Sequence, residues 1–360
     1  MGKNILAEVV TEECREYLKE IAKAKGEPQD LSILTGASSA NIVCSLIVGH
    51  RFEYDDPTFK RIIETTRHFF DESLSAGIAL LNNWPLLHYI PGDLFKVRQI
   101  CENRREFNRL FTHHFAELKG KKEYDKSNTN SFIASYIRER NERESRRQLH
   151  TLDERNLYKC IDDLVLGGTD TTSTTLMWFV FFMLRYPEVQ EKIYHDITTN
   201  FGEDTPPTWA ERNRLNYVNA AIMETQRLGN VGHVALAHRS TRDSTFRGFR
   251  IPKNTVLIGY LTSVMFDENI WGPDVDTFRP DRFLDQSGQL RQVDQLIPFS
   301  IGRRSCPGQP LVRMELFLYV TSMCQRFRFV PPVPGQPPEM GEVLGLVRSP
   351  PPFKVRAVDR

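Results

Sequence analysis

The sequence has no C-x-x-C pair: its six cysteines, Cys14, Cys44, Cys101, Cys160, Cys306 and Cys324, are scattered over 360 residues. That spacing argues against structural zinc and against a disulfide framework, and it fits a reducing compartment. An excess of charge is missing too, with 47 basic residues against 46 acidic ones, so no general attraction to nucleic acid is implied. No secretory leader is visible, and the longest apolar run, residues 176–184, covers less than half a bilayer crossing. As written, the chain carries no transmembrane anchor. No flavin or nicotinamide fingerprint is present, and no glycine-rich stretch ends in G-K-[ST] as a phosphate loop does.

What the chain has is helical patterning. Apolar residues at helical spacing predict amphipathic helices over residues 1–25, closed by Gly26 and Pro28, over 37–49, and from Asp56-Pro57 through Phe69 and Phe70 towards residue 81. Residues 97–118 and 131–148 read as charged helices, with a polar linker over 120–130. The connector 80–91 is unusually apolar, with Trp84, Leu86, Leu87, Tyr89 and Ile90. It fits either a packed loop or a surface that dips into a membrane interface.

Thr151-Leu152-Asp153-Glu154 matches a capping box and opens a helix that can run to Arg185. At 1.5 Å per residue that is roughly 50 Å, enough to cross a domain. Its middle, residues 167–175, reads Gly-Gly-Thr-Asp-Thr-Thr-Ser-Thr-Thr, poor helix formers that cost about 0.5–1 kcal/mol each relative to alanine. Glycines there let a ligand approach, while hydroxyl and carboxyl groups loosen the hydrogen-bond ladder and supply protons. A kinked core helix or a loop between two helices is the plainer alternative.

Further on, Pro187 starts a helix that ends near Gly202, and Thr208-Trp209-Ala210-Glu211 offers another capping box. A helix over 219–228 closes at Gly229 and carries Glu224-Thr225-Gln226-Arg227, two opposite charges on one face. Residues 246–251 and 255–258 read as short strands joined by Pro252-Lys253-Asn254, a small sheet in a mainly helical protein. An apolar helix spans 311–327, and Gly345-Leu346-Val347 ahead of three prolines reads as a strand and turn.

Cys306 lies in a loop, residues 299–308, that opens directly onto that apolar helix. A thiolate there is stabilised by helix N-terminal N–H groups and by the neighbouring cation, although a single cysteine in a turn is most often structural. The surrounding pattern F-x-x-G-x-R-x-C-x-G is complete at Phe299, Gly302, Arg304, Cys306 and Gly308. Five fixed positions at ~1/20 each over ~350 windows arise by chance about once in ten thousand chains.

At these residues the sequence resembles the haem-binding loop of the cytochrome P-450 haem-thiolate monooxygenases. Gly167, Gly168, Asp170, Thr171 and Thr172 also fit that family's [AG]-G-x-[DE]-T-[TS] helix, and Pro280-Asp281-Arg282-Phe283 resembles the motif whose arginine joins the E-x-x-R pair. The run around Cys306 and the Arg313-Met314-Glu315-Leu316-Phe317 helix after it are similar to the animal microsomal branch.

The resemblance implies a single domain over 1–360, mainly α with small β-sheets, corresponding to the C-terminal three quarters of a family member and lacking its anchor and first sheet strands. It implies haem b with Cys306 as axial ligand, Phe299 and Gly168 beside the cofactor, and Arg304 and His238 as propionate partners. Asp170 and Thr171 would deliver protons, while Glu224, Arg227 and Arg282 would form a buried structural network. Leu164, Val234, Leu236 and Leu346 would touch an apolar substrate, a xenobiotic, steroid or fatty acid. Electrons would come from NADPH through a separate flavoprotein reductase, with cytochrome b5 as a further partner. The implied location is the cytosolic face of the endoplasmic reticulum, with peripheral membrane contact through 80–91; the missing anchor leaves a cytoplasmic location open. A shortened, non-catalytic isoform and a cysteine-nucleophile enzyme are the alternatives.

Overall fold

The computed structural model describes residues 3–73 and 131–360, together with 84–90 and short pieces of the segment between. The expected helix over 97–118, the linker over 120–130 and the side chains of Phe69 and Phe70 fall outside the described residues in whole or in large part. Eight helices carry the described fold: α1 Lys3–Ala22, α2 Ser32–Val48, α3 Pro57–Ser73, α4 Phe132–Ser145, α5 Glu154–Arg185, α6 Pro187–Phe201, α7 Asn216–Gly229 and α8 Gln309–Arg326. Shorter helical turns fill the connections.

α5 is the axis. Its 32 residues run unbroken for about 48 Å, and from Thr172 to Leu184 every side chain is buried. Trp178 packs edge-on to Phe181 and stacked on Phe182, which stacks in turn on Phe278 at 4.5 Å. The poor helix formers at 169–175 are stabilised by their own hydroxyls. Thr169, Thr171 and Thr175 donate to the carbonyls of Val165, Gly167 and Thr171 at 2.7–2.8 Å. The ladder therefore stays closed where the sequence predicts loosening, because each hydroxyl turns back onto the carbonyl one turn earlier.

α2 lies along α5, with its small residues Gly36, Ala37, Ser38, Ser39 and Ala40 buried and Val43 set against Gly168. It ends at Gly49, whose left-handed φ of 92° lets its N–H close on Ser45. α1 joins through Glu13, a buried carboxylate that accepts from Arg51 at 3.1 Å and from the Tyr54 hydroxyl. α8 joins through Tyr319, whose hydroxyl shares a 2.5 Å hydrogen bond with Ser38.

Four two-stranded antiparallel ladders decorate this bundle: β1 His238–Arg239 with β4 Val256–Leu257, β2 Ser244–Phe246 with β3 Phe249–Ile251, β5 Phe327–Val330 with β8 Arg356–Asp359, and β6 Val343–Leu344 with β7 Arg348–Ser349. The last two bring the C-terminal tail back over the end of α8 and beside α5.

Three local expectations are corrected. The cap of α5 is Asp153, which accepts from Asn156 N–H at 2.7 Å, in place of Thr151. Asp153 is the residue that immediately precedes the helix in extended conformation, so its carboxylate and not the Thr151 hydroxyl reaches the free N–H groups of the first turn. The expected strand over 246–251 is instead the turn and second strand of a hairpin over 244–251, since Arg247 and Gly248 both take positive φ, the two-residue turn geometry that matches strand twist. Gly345-Leu346-Val347 is the turn between β6 and β7, with Gly345 N–H on the Val347 carbonyl.

The helix glycines divide by what faces them. A Cβ at Gly168 would stand 2.6 Å from Val43 Cγ2 of α2, whereas a Cβ at Gly167 would meet nothing within 4 Å. Gly168→Ala is expected to destabilise by about 1–3 kcal/mol through overpacking, while Gly167→Ala is neutral or stabilising by up to ~1 kcal/mol. Chemical denaturation of the two variants checks the pair.

Candidate functional site

Proline placement shapes the Cys306 loop. Pro298 and Pro307 exclude regular helix, and Pro310 sits at the start of α8, where its missing N–H costs nothing. Ser300 and Gly302 take positive φ, of 57° and 81°, and turn the backbone sharply ahead of Cys306. Cys306 N–H donates to the Phe299 carbonyl at 2.9 Å, closing the loop on itself. The Cys306 thiol is free and exposed, and a Cβ at Gly308 would lie 3.7 Å from it. Phe299 is half-buried under the Arg313 guanidinium, 6.0 Å from its ring centre. Ile301 is 71% exposed beside the loop.

α5 faces this loop through α8. Glu315 on α8 lies against Thr172 on α5, only six residues into that helix, or about 9 Å from its start. The turn of α5 carrying Gly167 and Thr171 leads directly into that contact. Thr171 is half-buried and donates to Gly167 O at 2.8 Å. Gly168, expected beside the cofactor, instead faces α2 across Val43; the glycine that leaves α5 open is Gly167. Two glycines in succession point about 100° apart on a helix, so the motif alone does not say which one faces the ligand.

Arg304 and His238 are exposed, and neither is paired with a carboxylate among the described residues. His238 sits in β1 opposite Leu257. The segment leading to it is held near the loop, where a Cβ at Gly232 would lie 3.8 Å from Pro298 O. Leu164, Val234 and Leu236 are exposed. A separate cavity of about 850 Å³ is lined by Ala37, Phe59, Ile63, Asp170, Met177 and Leu346, among others. Of the expected substrate contacts only Leu346 lines it.

Glu224, Arg227 and Arg282 come together in the interior. Arg227 Nε and Nη2 donate to the two Glu224 oxygens at 2.7 and 2.9 Å, and both side chains are fully buried. Arg282 Nε donates to Glu224 Oε1 at 2.9 Å. The remaining guanidinium hydrogens reach the carbonyls of Met265, Val275, Trp271, Asp274 and Thr277. These carbonyls belong to the chain that leads back towards Cys306, so the network ties α7 to the approach of the loop. Glu224→Ala leaves two buried guanidinium groups short of their anion and is expected to cost about 3–5 kcal/mol, read by denaturant unfolding.

Two side chains that sequence reasoning passed over help to hold the site. Arg348 donates to the Leu228 and Gly229 carbonyls at the end of α7, and its own carbonyl accepts from Trp178 Nε1 at 2.9 Å. A lone arginine in a tail offers no local signal of that reach. Glu315 is 1% exposed in an otherwise apolar helix, and burial pushes its carboxyl up to about 8, the nearby Thr172 hydroxyl lowering it only in part. A charged residue on an apolar helix face was the available sign.

Because the folded carboxyl holds its proton more tightly than the unfolded one, its contribution is most favourable below the ordinary glutamate value of 4.5. It is lost progressively as pH rises from there towards 8, at up to ~1.4 kcal/mol per pH unit. Glu315→Gln removes this loss and is expected to raise stability at neutral pH and flatten the profile, as measured by unfolding across that range.

The chain matches the family model described as Cytochrome P450 over residues 1–357. It is 35% identical to cytochrome P450 2D20 of Mesocricetus auratus over all of this chain and 71% of that protein. It is 36% identical to cytochrome P450 2U1 of Mus musculus over 99% of this chain and 66% of that protein. Identity to cytochrome P450 2J2 of Homo sapiens is 34%, over 92% of this chain and 65% of that protein. With a thiol loop at the head of α8, a glycine-threonine helix packed on α8 and this match along nearly its whole length, the chain belongs to the cytochrome P450 family of haem-thiolate monooxygenases, in the animal microsomal branch.

Proposed function

We propose that the chain holds haem b through the Cys306 sulfur and inserts one oxygen atom from O2 into an apolar small molecule, a xenobiotic, steroid or fatty acid. Electrons come from NADPH through a separate flavoprotein reductase, with cytochrome b5 as an auxiliary donor. The observation that carries this reading is the exposed Cys306 thiol at the head of α8, the helix that packs on α5, whose Gly167 face is open.

The residues present fit such a group. The thiol stands free in a loop already closed by its own backbone, so binding requires little ordering. Arg304 and His238 offer donors without carboxylate partners among the described residues, suited to propionates. Exposed Leu257, Ile258, Tyr260 and Ile301 supply apolar surface for a flat macrocycle. When bound, a thiolate-ligated haem supplies the electron push that favours O–O cleavage.

The chain's own residues do the rest. Thr171 Oγ1 keeps its proton on the Gly167 carbonyl and leaves its lone pairs open to accept another. Asp170 adds an ionisable group on the same turn, lining the cavity. That cavity has mainly apolar walls, which supports an apolar ligand, and Leu346 closes it from the C-terminal turn. Glu224, Arg227 and Arg282 keep the approach to the loop rigid.

No helix among the described residues is long and apolar enough to cross a membrane. In the segment 84–90, Trp84, Leu86 and Tyr89 are 60–84% exposed, which supports contact with a lipid interface over burial as a packed loop. The endoplasmic reticulum membrane is the location that the microsomal relatives suggest.

Reduced, haem-loaded protein treated with carbon monoxide is expected to give the red-shifted Soret band of a thiolate complex, and Cys306→Ala to lose it. Retention of that band in the variant overturns the assignment of the sulfur. Turnover of an apolar substrate by this chain with NADPH and reductase separates the enzyme from a non-catalytic isoform.

A further inference from the structure

Glu315 plays no part in the reading above. It lies nine residues after Cys306 on α8, is 1% exposed, and neither carboxyl oxygen meets a hydrogen-bond partner. The Thr172 hydroxyl on α5 is buried and equally unbonded, and it lies beside the Glu315 carboxyl. Two orphaned polar groups side by side in an apolar seam cost more than an alanine pair there. They cease to be orphans once a proton is counted, because a carboxylic acid has an O–H to give and a threonine oxygen has lone pairs to take it.

The charged groups of the elements around α8 are engaged elsewhere. Glu13 of α1 holds Arg51, Asp196 of α6 accepts from Tyr217 and Val218 N–H, and Glu224 of α7 holds Arg227 and Arg282. Glu211 pairs with Arg214, Arg328 of β5 with Glu191, and on α8 itself Arg326 pairs with Asp359, while Arg313 lies over Phe299. Asp170, on α5, is not among the groups that shift Glu315.

The position of the pair gives it a task. Glu315 is six residues into the helix whose start carries Cys306, and Thr172 is next to Thr171. Any change in the α5–α8 spacing at this point moves the sulfur relative to the Gly167–Thr171 turn.

We propose that Glu315 is a positioning residue, held as a neutral acid that donates to Thr172 Oγ1 and so sets the gap between the Cys306 wall and the α5 wall. The consequence for the cofactor rests on the haem reading; the brace itself does not. Deprotonation leaves an anion with one hydroxyl donor in an apolar seam, which draws water in and parts the helices. The brace is therefore sensitive to alkali.

The test uses the full chain, with and without haem, as wild type, Glu315→Gln and Glu315→Ala. Infrared difference spectra are expected to show a protonated-carboxyl band that fades as pH rises through about 8 and is missing in Glu315→Gln. Amide hydrogen exchange, corrected for intrinsic pH dependence, is expected to rise by about tenfold or more around residues 172 and 315 over the same range. Glu315→Gln, which keeps a neutral donor, holds protection throughout, and Glu315→Ala is unprotected at every pH. A missing protonated band at acid pH, or a Gln variant that loses protection along the wild-type curve, overturns the brace. In haem-loaded protein the Soret band is expected to shift in the same window and to be pH-independent in Glu315→Gln. A chain that binds no haem sinks the cofactor reading, and the infrared and exchange results on that chain still decide on the brace.

Discussion

The continuity of α5 is the constraint on which the other elements depend. A helix of 32 residues with a fully buried C-terminal half can be satisfied only if other elements cover it on every side. α2 covers one side through Val43 opposite Gly168, α8 another through the Glu315–Thr172 seam, and the C-terminal turn a third through Trp178 and Arg348. α8 carries the thiol loop at its head, and the C-terminal turn places Leu346 in the cavity. The glycines, threonines and aspartate that weaken α5 as an isolated helix are tolerated because packing, and hydroxyls turned back on the backbone, hold it.

The buried Glu224–Arg227–Arg282 cluster adds a second rigid point. Burying three charges is costly, and this cluster is affordable only because nearly every guanidinium hydrogen has an acceptor. What it contributes is position: a segment with little regular structure between α7 and the thiol loop is pinned by five of its carbonyls. The thiol loop thus has two supports, its own closed turn and this anchor upstream.

Much of this was legible in the sequence, for physical reasons that differ by residue. The Cys306 loop was legible because its prolines, glycines and cysteine stand at fixed local offsets. The extent of α5 was legible because its apolar period is long and Tyr186-Pro187 ends it. The facing of Gly167 and Gly168 was not, since it depends on which neighbour α2 presents, a contact between residues far apart in the chain. Asp153 displaced Thr151 as the cap because two competent residues lay within one turn, and strand boundaries near Arg247 turned on a φ that an arginine rarely takes. Glu315 and Arg348 escaped notice because their partners, Thr172 and the end of α7, lie more than a hundred residues away.

The central claim is that the sulfur of Cys306 is the ligand that the fold presents beside α5. X-ray absorption at the iron edge of the haem-loaded chain tests it most directly. The account predicts one sulfur scatterer in the first shell of iron, absent when Cys306 is replaced by alanine. A first shell of nitrogen and oxygen alone in the native chain, or a sulfur that survives the replacement, would contradict it.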